Sequence, residues 1–302
     1  PVVALESTVI AHGLPSPDNI AVAAAMEQAV RDGGAVPATI AVLDGRIRVG
    51  LDGDDVARLA EGGDTVWKVS RRDLPAALVR SVVGATTVAA TMIAAELAGI
   101  AFFATGGIGG VHRGAESTFD VSADLDELAR TDVCVVSAGA KSILDLPKTL
   151  EAMETRGVPV LGWRTADFPA FYVRASGLAC DLQVDAADEV ARILQVKWRM
   201  GLSGGVLLCN PIPQEAELDP AMVEAAIAAA AAEAAAQGVA GKALTPFLLK
   251  RLHESTGGAS LAANRALLID NARVAGEAAT AYAALAAVQA LPPRPQLNRM
   301  RY

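Results

Sequence analysis

A single lysine lies among small residues at the point where an apolar run ends. The run at 133–136 is typical of a buried strand, and Lys141 follows it within the segment SAGAKSILD (137–145). Burial disfavours the charged form of an amine and lowers its pKa. A neutral amine is the form that makes a Schiff base with a sugar aldehyde. The pattern therefore predicts a nucleophile at Lys141; the alternative is an i,i+4 ion pair with Asp145 on a helix that begins immediately.

A carboxyl group follows the first apolar run of the chain. Glu6 lies in the predicted strand 2–8, and apolar surroundings would raise its pKa and suit it to general acid and base catalysis. The alternative is a structural ion pair with Arg71 or Arg72, which follow another predicted strand. If the strands are parallel, Glu6 and Lys141 lie at the same edge of the sheet, where ligands of open α/β sheets bind.

Two segments suggest contacts with an anion. The segment GATTV (84–88) opens a predicted helix, and free N–H groups at a helix start favour phosphate. Its alternative is an ordinary threonine N-cap. Lys68, at a strand end, supplies a counter-charge or forms a surface salt bridge. The loop TGGIGGVHRG (105–114) fits neither the Walker A nor the dinucleotide pattern, so it is either a tight turn or a close backbone approach to a ligand.

A third set of polar residues suggests a metal site. Asp120, Ser122 and Asp124 recur at a spacing of two, so an extended backbone would present them on one face. Carboxylate and hydroxyl oxygens suit Mn²⁺ or Mg²⁺, and a single carboxylate would leave most of the coordination shell to water. The alternative is that Ser122 or Asp124 caps the helix that begins nearby.

The elements that must position these groups alternate between strand and helix patterns. Continuous apolar runs indicate strands covered on both faces, and Asp44-Gly45 between two runs indicates a hairpin. We expect an α/β fold over residues 1–285, with a mostly parallel central sheet, helices on both faces, a small hairpin and extra C-terminal helices, followed by a tail at 286–302. The predicted strands are 2–8, 38–43, 46–51, 66–70, 100–105, 132–138, 158–162 and 205–209. The predicted helices are 18–32, 86–98, 123–130, 186–200, 220–237 and 261–287.

Composition narrows the class of protein. The chain has 302 residues, 52% of them hydrophobic, and a net charge of −8, which argues against nucleic acid or an anionic membrane as the main partner. Three cysteines without a C-x-x-C pair indicate reduced thiols and a cytoplasmic protein. No apolar run predicts a membrane span or a signal peptide. Because the chain starts at Pro1 rather than at a methionine, we expect that a short N-terminal piece is missing. Because it ends soon after Tyr282, we expect no fused sugar kinase.

Long motifs in a fixed order resemble one known family. They are similar to the pseudouridine-5′-phosphate glycosidases, also called indigoidine synthase A-like proteins, and the resemblance covers residues 2 to about 285. The motifs are ALESTVIAHGLPSPDN (4–19), GAVPATIAVLDGRIRVGL (34–51), KVSRRDLP (68–75), GATTVAATM (84–92), TGGIGGVHRGAESTFDVSADL (105–125), SAGAKSILDLPKTLE (137–151), FPAFYVRASG (168–177), NPIP (210–213) and LAANRALLIDNAR (261–273).

The resemblance implies a reaction and a set of residue roles. The reaction converts pseudouridine 5′-phosphate and water reversibly to uracil and ribose 5-phosphate in a homotrimer with one bound divalent cation per subunit, usually Mn²⁺. By matching motif, Lys141 attacks C1′ of the opened ribose, Glu6 helps to open the ring and Asp120 binds the metal. Uracil leaves as its C5 is protonated. The residues implied to bind substrate are Lys68, Thr87, Val88, His112, Ser122, Ala123, Asp124 and Asn264.

Two other functions stay open at this point. A related C-glycosidase or lyase of pigment biosynthesis would keep Lys141 and act on another nucleotide or phosphosugar. A phosphosugar-binding module without activity would keep Lys68 and the helix start at 86–88 but would need neither Lys141 nor Glu6. The joint presence of these two residues therefore favours an enzyme.

Overall fold

A computed structural model describes residues 1–239 and 244–288. Within these ranges one sheet of ten strands runs through the protein, and its strand order is β4-β5-β2-β1-β6-β7-β10-β8-β9, with β3 paired to β2. The strands are β1 (Val2–Leu5), β2 (Val36–Leu43), β3 (Arg46–Val49), β4 (Trp67–Val69), β5 (Gly84–Thr86), β6 (Phe102–Ala104), β7 (Cys134–Ser137), β8 (Val160–Trp163), β9 (Leu182–Val184) and β10 (Val206–Cys209).

Most neighbouring strands are parallel, as the continuous apolar runs predicted. The parallel pairs join β1 to β2 and β6, β7 to β6 and β10, β8 to β9 and β10, and β4 to β5. The hairpin predicted at Asp44-Gly45 is confirmed, since β2 and β3 pair antiparallel around it. All eight predicted strands are present, although most are shorter than predicted.

Strands β4 and β5 run opposite to β1 and β2, because β5 pairs antiparallel with the end of the long strand β2. Leu5, the last residue of β1, pairs with Thr39, so β2 continues from Ile40 to Leu43 beyond the end of β1. There β5 pairs antiparallel with β2, with Ala85 opposite Ala41, and runs back toward the end of β1. Because β4 is parallel to β5, the ends of β4 and β5 approach the same place as the end of β1, but from the opposite side.

The structure contains all the predicted helices and several more that were not predicted. The helices in the described part are α1 (Asp18–Asp32), α2 (Gly53–Glu61), α3 (Leu74–Val79), α4 (Val88–Leu97), α5 (Ala115–Thr118), α6 (Ala123–Leu128), α7 (Leu146–Thr155), α8 (Ala187–Arg199), α9 (Pro220–Ala236), α10 (Leu244–Ser255) and α11 (Ala259–Val288). The helix predicted at 86–98 begins only at Val88, because residues 84–86 form β5. Helices α2, α3, α5, α7 and α10, and strands β5 and β9, were missed.

One large hydrophobic core includes buried residues from Val3 to Ala279. Helix α11 packs against α1, α8 and strands β1, β6 and β7, which explains why the C-terminal helix belongs to the same core. It continues to Val288, three residues past the predicted boundary at 285. The rest of the predicted tail, 289–302, lies outside the described residues. No helix in the described ranges is both long and apolar enough to cross a membrane.

Candidate active site

A cavity of about 620 Å³ lies where the ends of β1, β4, β5 and β7 meet the glycine-rich loop and the start of α6. A smaller cavity of about 90 Å³ adjoins it and shares Glu6, Lys68 and Lys141. The predicted site residues in the large cavity are Glu6, Lys68, Thr87, Val88, His112, Asp120, Ser122, Ala123, Asp124 and Lys141. Asn264 lines the small cavity. The residues predicted to act together are therefore brought together.

Lys141 lies in a loop after β7, and its side chain is half-buried where the two cavities meet. Its backbone N–H donates to the Ile108 carbonyl at 3.1 Å, which ties this loop to the glycine-rich loop. The alternative ion pair with Asp145 is wrong, because Asp145 caps α7 and pairs with Lys148 at 3.0 Å. No hydrogen bond or ion pair from the described residues holds the Lys141 amine, although its charge acts on Glu6 and His112.

Glu6 directly follows β1 and faces both cavities. Burial raises the pKa of this carboxyl, and the charge of Lys141 is the strongest effect that opposes the rise. The Thr105 hydroxyl donates a hydrogen bond to Glu6 Oε1. The predicted alternative partner Arg71 instead binds the buried Glu127 at 2.6 Å. A carboxyl with a raised pKa keeps its proton to a higher pH than an ordinary carboxyl, so Glu6 is suited to act as a general acid as well as a base.

The start of α4 offers fewer free N–H groups than the sequence suggested. Thr87 is the N-cap, as the alternative interpretation proposed, and its hydroxyl accepts from Ala90 N at 3.5 Å. The Ala89 N–H donates to the Asp124 carboxylate at 3.0 Å. Among the described residues, the Val88 N–H has no acceptor. A cavity-lining N–H at a helix start beside Lys68 can still bind an anion.

Asp124 has a structural role that its sequence spacing did not suggest. Ser122 ends the extended segment as the N-cap of α6, so Asp124 lies in the first helical turn rather than on a common extended face. Its carboxylate is 6% exposed and accepts from Gly109 N at 2.8 Å as well as from Ala89 N. Both oxygens are thereby engaged by backbone donors. The idea of a metal site that includes Asp124 is not supported by this arrangement.

Asp120 is the carboxylate that remains available to a cation. It lines the large cavity, and no described residue donates a hydrogen bond to its side chain. No cluster of three or more His, Cys, Asp or Glu side chains in the described ranges is arranged to hold a metal ion. One hard oxygen ligand in an open cavity fits a divalent cation that keeps most of its water, as Mg²⁺ and Mn²⁺ can.

His112 lies next to Asp120 on the wall of the large cavity. Its backbone N–H donates to the Asp120 carbonyl at 3.0 Å, and its side chain is buried. Burial lowers the pKa of this imidazole, while Asp120 opposes the shift and Lys141 adds to it. A neutral imidazole is therefore available for hydrogen bonding in the cavity.

The glycine-rich loop packs closely on protein side chains. A Cβ at position 107 would lie 2.5 Å from the Phe171 ring, and one at position 109 would lie 2.3 Å from Ser122 Oγ. At position 110 it would lie 2.4 Å from Thr149 Oγ1. These contacts explain three of the glycines, of which Gly109 lines the large cavity and Gly107 the small one.

Some cavity residues were missed by the sequence reasoning. Thr105 directly follows the buried strand β6, and a polar residue at that position was a usable signal. His12 lies on a π-helical turn, Val9–Gly13, next to Lys68, whose charge together with burial lowers the His12 pKa. Thr245 comes from the unpredicted helix α10 and lines both cavities. No local pattern places Thr245 near the site, because α10 reaches it only through tertiary packing.

A half-buried amine, a carboxyl of raised pKa and an anion-binding helix start, all at strand ends of an α/β sheet, are typical of an enzyme that acts on a small anionic molecule. Comparison with known proteins gives the family. The family model for indigoidine synthase A-like proteins matches residues 1–281, and the chain belongs to this family.

Named relatives share most of this chain. A pseudouridine-5′-phosphate glycosidase of Rhodospirillum centenum is 65% identical over 98% of this chain and 92% of the relative. Another, of Sorangium cellulosum, is 57% identical over 95% of this chain and 90% of the relative. Among solved structures, the prealnumycin C-glycosynthase AlnA, in complex with ribulose 5-phosphate, is 44% identical, with a TM-score of 0.89 over 96% of this chain and 94% of that chain. An indigoidine synthase A-like protein of Thermotoga maritima is 37% identical, with a TM-score of 0.85 over 92% of both chains.

Proposed function

We propose that this chain is a pseudouridine-5′-phosphate glycosidase, which reversibly cleaves the C–C glycosidic bond of pseudouridine 5′-phosphate to give uracil and ribose 5-phosphate. The observation that carries the proposal is the placement of Lys141 and Glu6 on one cavity with an anion-binding helix start. The names of relatives at 65% and 57% identity support the substrate.

The phosphate of the substrate anchors it at the reversed strands. The Val88 N–H and Lys68 belong to the cavity wall formed by β4 and β5, whereas Lys141 belongs to the loop after β7. The α4 dipole adds to their attraction for a dianion. Binding energy from this remote group helps to hold the opened sugar in line with Lys141.

Lys141 and Glu6 divide the covalent chemistry between them. A C-glycoside has a carbon leaving group, so protonation of a bridging heteroatom cannot cleave it. Glu6 protonates the ring oxygen as its bond to C1′ breaks and the ribose opens, and the Lys141 amine adds to C1′. The C1′–C5 bond then breaks as the nitrogen lone pair forms a C=N bond, and C5 of uracil takes a proton. Water hydrolyses this imine, which releases ribose 5-phosphate and restores the amine.

Asp120 is the residue that would hold the divalent cation implied by the family resemblance. When bound, such a cation, with its waters, orients and polarises a ligand oxygen. His112 would contribute a neutral ring to the same part of the cavity. Chelation should remove activity, and added Mn²⁺ should restore it, whereas Asp120→Asn should weaken Mn²⁺ binding measured by titration calorimetry. Full activity after verified metal removal would contradict this role.

The covalent step can be tested by trapping. Borohydride reduces a C=N bond to a stable amine, so treatment with ribose 5-phosphate should add the mass of the sugar at Lys141. Lys148, which is exposed and ion-paired with Glu116 at 2.8 Å, is the matched control lysine. Lys141→Ala should abolish turnover and trapping, whereas Lys148→Ala should leave both unchanged. A peptide map with Lys141 unmodified would count against the mechanism.

A second candidate activity is favoured by one observation. A solved structure similar to this chain, with a TM-score of 0.89, is named a prealnumycin C-glycosynthase, and this name supports an activity with an acceptor other than uracil. The deciding assay mixes ribose 5-phosphate with uracil and measures a product that absorbs as pseudouridylate. A product with uracil supports the glycosidase; no reaction with uracil, together with sugar trapping at Lys141, supports a different acceptor.

The homotrimer and the cytoplasmic location are part of the same proposal. The homotrimer follows from the family resemblance, and sedimentation of the purified chain tests it. The location is supported by the three cysteines, all of them free thiols in the structure.

A further inference from the structure

A chain of buried polar side chains runs behind Glu6. The side-chain amide of Asn210, after β10, donates to Asp270 at 2.8 Å and to the Asn271 side-chain oxygen at 3.0 Å. The Asn271 amide, on α11, donates to the Thr105 carbonyl at 2.8 Å. Asn210 and Asn271 are 4% and 0% exposed. The two motifs NPIP and LAANRALLIDNAR, which contribute no predicted catalytic residue, thus meet at the residue that contacts Glu6.

Thr105 is fixed at each of its polar groups. Its backbone N–H donates to the Val136 carbonyl at 3.0 Å, its carbonyl accepts from Asn271, and its hydroxyl donates to Glu6 Oε1. The residue is 1% exposed, so water cannot easily replace the hydroxyl. A hydroxyl held on a rigid strand end can fix one rotamer of a carboxyl group.

We propose that Thr105 is the positioning residue of Glu6: Asn271 holds the backbone carbonyl of Thr105, and the Thr105 hydroxyl fixes the Glu6 carboxyl toward the cavity and favours its ionised form. The kinetic part of this inference rests on the proposed function, but the ionisation of Glu6 can be measured without turnover.

The direction of the effect follows from the groups that face Glu6. Lys141, Lys68 and the Thr105 hydroxyl each lower the Glu6 pKa, whereas Asp124 and burial raise it, with burial dominant. Removal of the Thr105 hydroxyl takes away one stabilising contact of the carboxylate. The Glu6 pKa should therefore rise above its already raised value.

The test measures the Glu6 carboxyl by ¹³C NMR in protein labelled at the glutamate side chains, with the signal assigned by its loss in Glu6→Gln. Thr105→Val keeps the shape and removes the hydroxyl, and Thr105→Ser restores the hydroxyl. Thr131→Val is the matched control, because Thr131 is also buried but its hydroxyl donates to the Glu127 carbonyl at 3.0 Å. Thr105→Ala replaces Thr105→Val if the latter does not fold.

The expected result is an upward shift of the Glu6 titration in Thr105→Val, return to the wild-type midpoint in Thr105→Ser, and no shift in Thr131→Val. In the assay of the proposed reaction, kcat should fall about tenfold or more in Thr105→Val with a smaller change in KM, because a loosened acid misses its target atom. A Glu6 titration that is unchanged in Thr105→Val would overturn the inference. A shifted titration in a chain without glycosidase activity would keep the inference and reject the proposed function.

Discussion

The replacement of Asp124 by asparagine tests the structural role assigned to this carboxylate. In the wild type its two oxygens accept from Gly109 N at 2.8 Å and Ala89 N at 3.0 Å, so one side chain joins the glycine-rich loop to the start of α4. An asparagine side chain has one acceptor oxygen, and its NH₂ group would face the second N–H donor. Asp124→Asn therefore loses one hydrogen bond completely and weakens the other.

The magnitude follows from the kind of hydrogen bond that is lost. A hydrogen bond to a charged group contributes about 1.5–3 kcal/mol, against about 0.5–1.5 kcal/mol for a neutral one. The helix start of α4 also loses a favourable negative charge, worth about 0.3–1 kcal/mol. The cheaper burial of a neutral side chain offsets part of this. We expect the free energy of unfolding to fall by about 2–3 kcal/mol and the Tm by roughly 3–5 °C, since a chain of 302 residues has a large entropy of unfolding.

The matched control is Asp126→Asn. Asp126 lies on the same helix, α6, and its carboxylate is 52% exposed and paired with Arg156 at 2.7 Å. An exposed ion pair of this kind contributes about 0–1 kcal/mol. Both variants are unfolded by heat and followed by circular dichroism in the same buffer. Equal melting temperatures of Asp124→Asn and Asp126→Asn would refute the reasoning, because buried and exposed carboxylates would then contribute alike.

Two further substitutions give predictions of opposite sign. Because the folded state raises the Glu6 pKa, it binds the proton more tightly than the unfolded chain does, and the stability falls as pH rises through the interval between the two pKa values. Glu6→Gln should therefore raise the Tm at neutral pH, with the difference vanishing in acid; a lower Tm at neutral pH would contradict this. Gly107→Ala places a Cβ 2.5 Å from the Phe171 ring and should cost about 1–3 kcal/mol in unfolding free energy, whereas Gly53→Ala, which meets nothing within 4 Å, should change it by less than about 1 kcal/mol.

The sequence was most informative about long, strongly patterned elements. Helix α1 was predicted with the bounds Asp18–Asp32 that the structure has, since its apolar residues recur at helical spacing between a proline and a glycine. Strand β5, by contrast, has three residues and was predicted to join the helix that follows it. Its strand conformation depends on pairing with β2 and β4, partners that lie far away in the sequence. Long-range pairing of this kind leaves no local pattern.

In the candidate site, too, the sequence revealed local features but not the contacts between distant segments. Position at a strand end singled out Lys141, Glu6 and Lys68, and a predicted helix start singled out the segment 84–88. A spacing of two singled out Asp120, Ser122 and Asp124, and the family resemblance added His112, Ala123 and Asn264. Sequence could not reveal that Asp124 is held by two backbone N–H groups, because one donor belongs to the glycine-rich loop and the other to α4.

The reversal of β4 and β5 explains how the proposed phosphate site and the proposed nucleophile share the large cavity. In a fully parallel sheet, an anion site at a helix start and a nucleophilic amine would lie side by side along one edge. Here β2 extends past β1 and carries β5 and β4 back toward the cavity, so Val88 and Lys68 face it from the side opposite β1 and β7. The part of β2 beyond Leu5 therefore supports the proposed phosphate contacts, and shortening β2 together with β5 should raise KM for ribose 5-phosphate more than for free ribose.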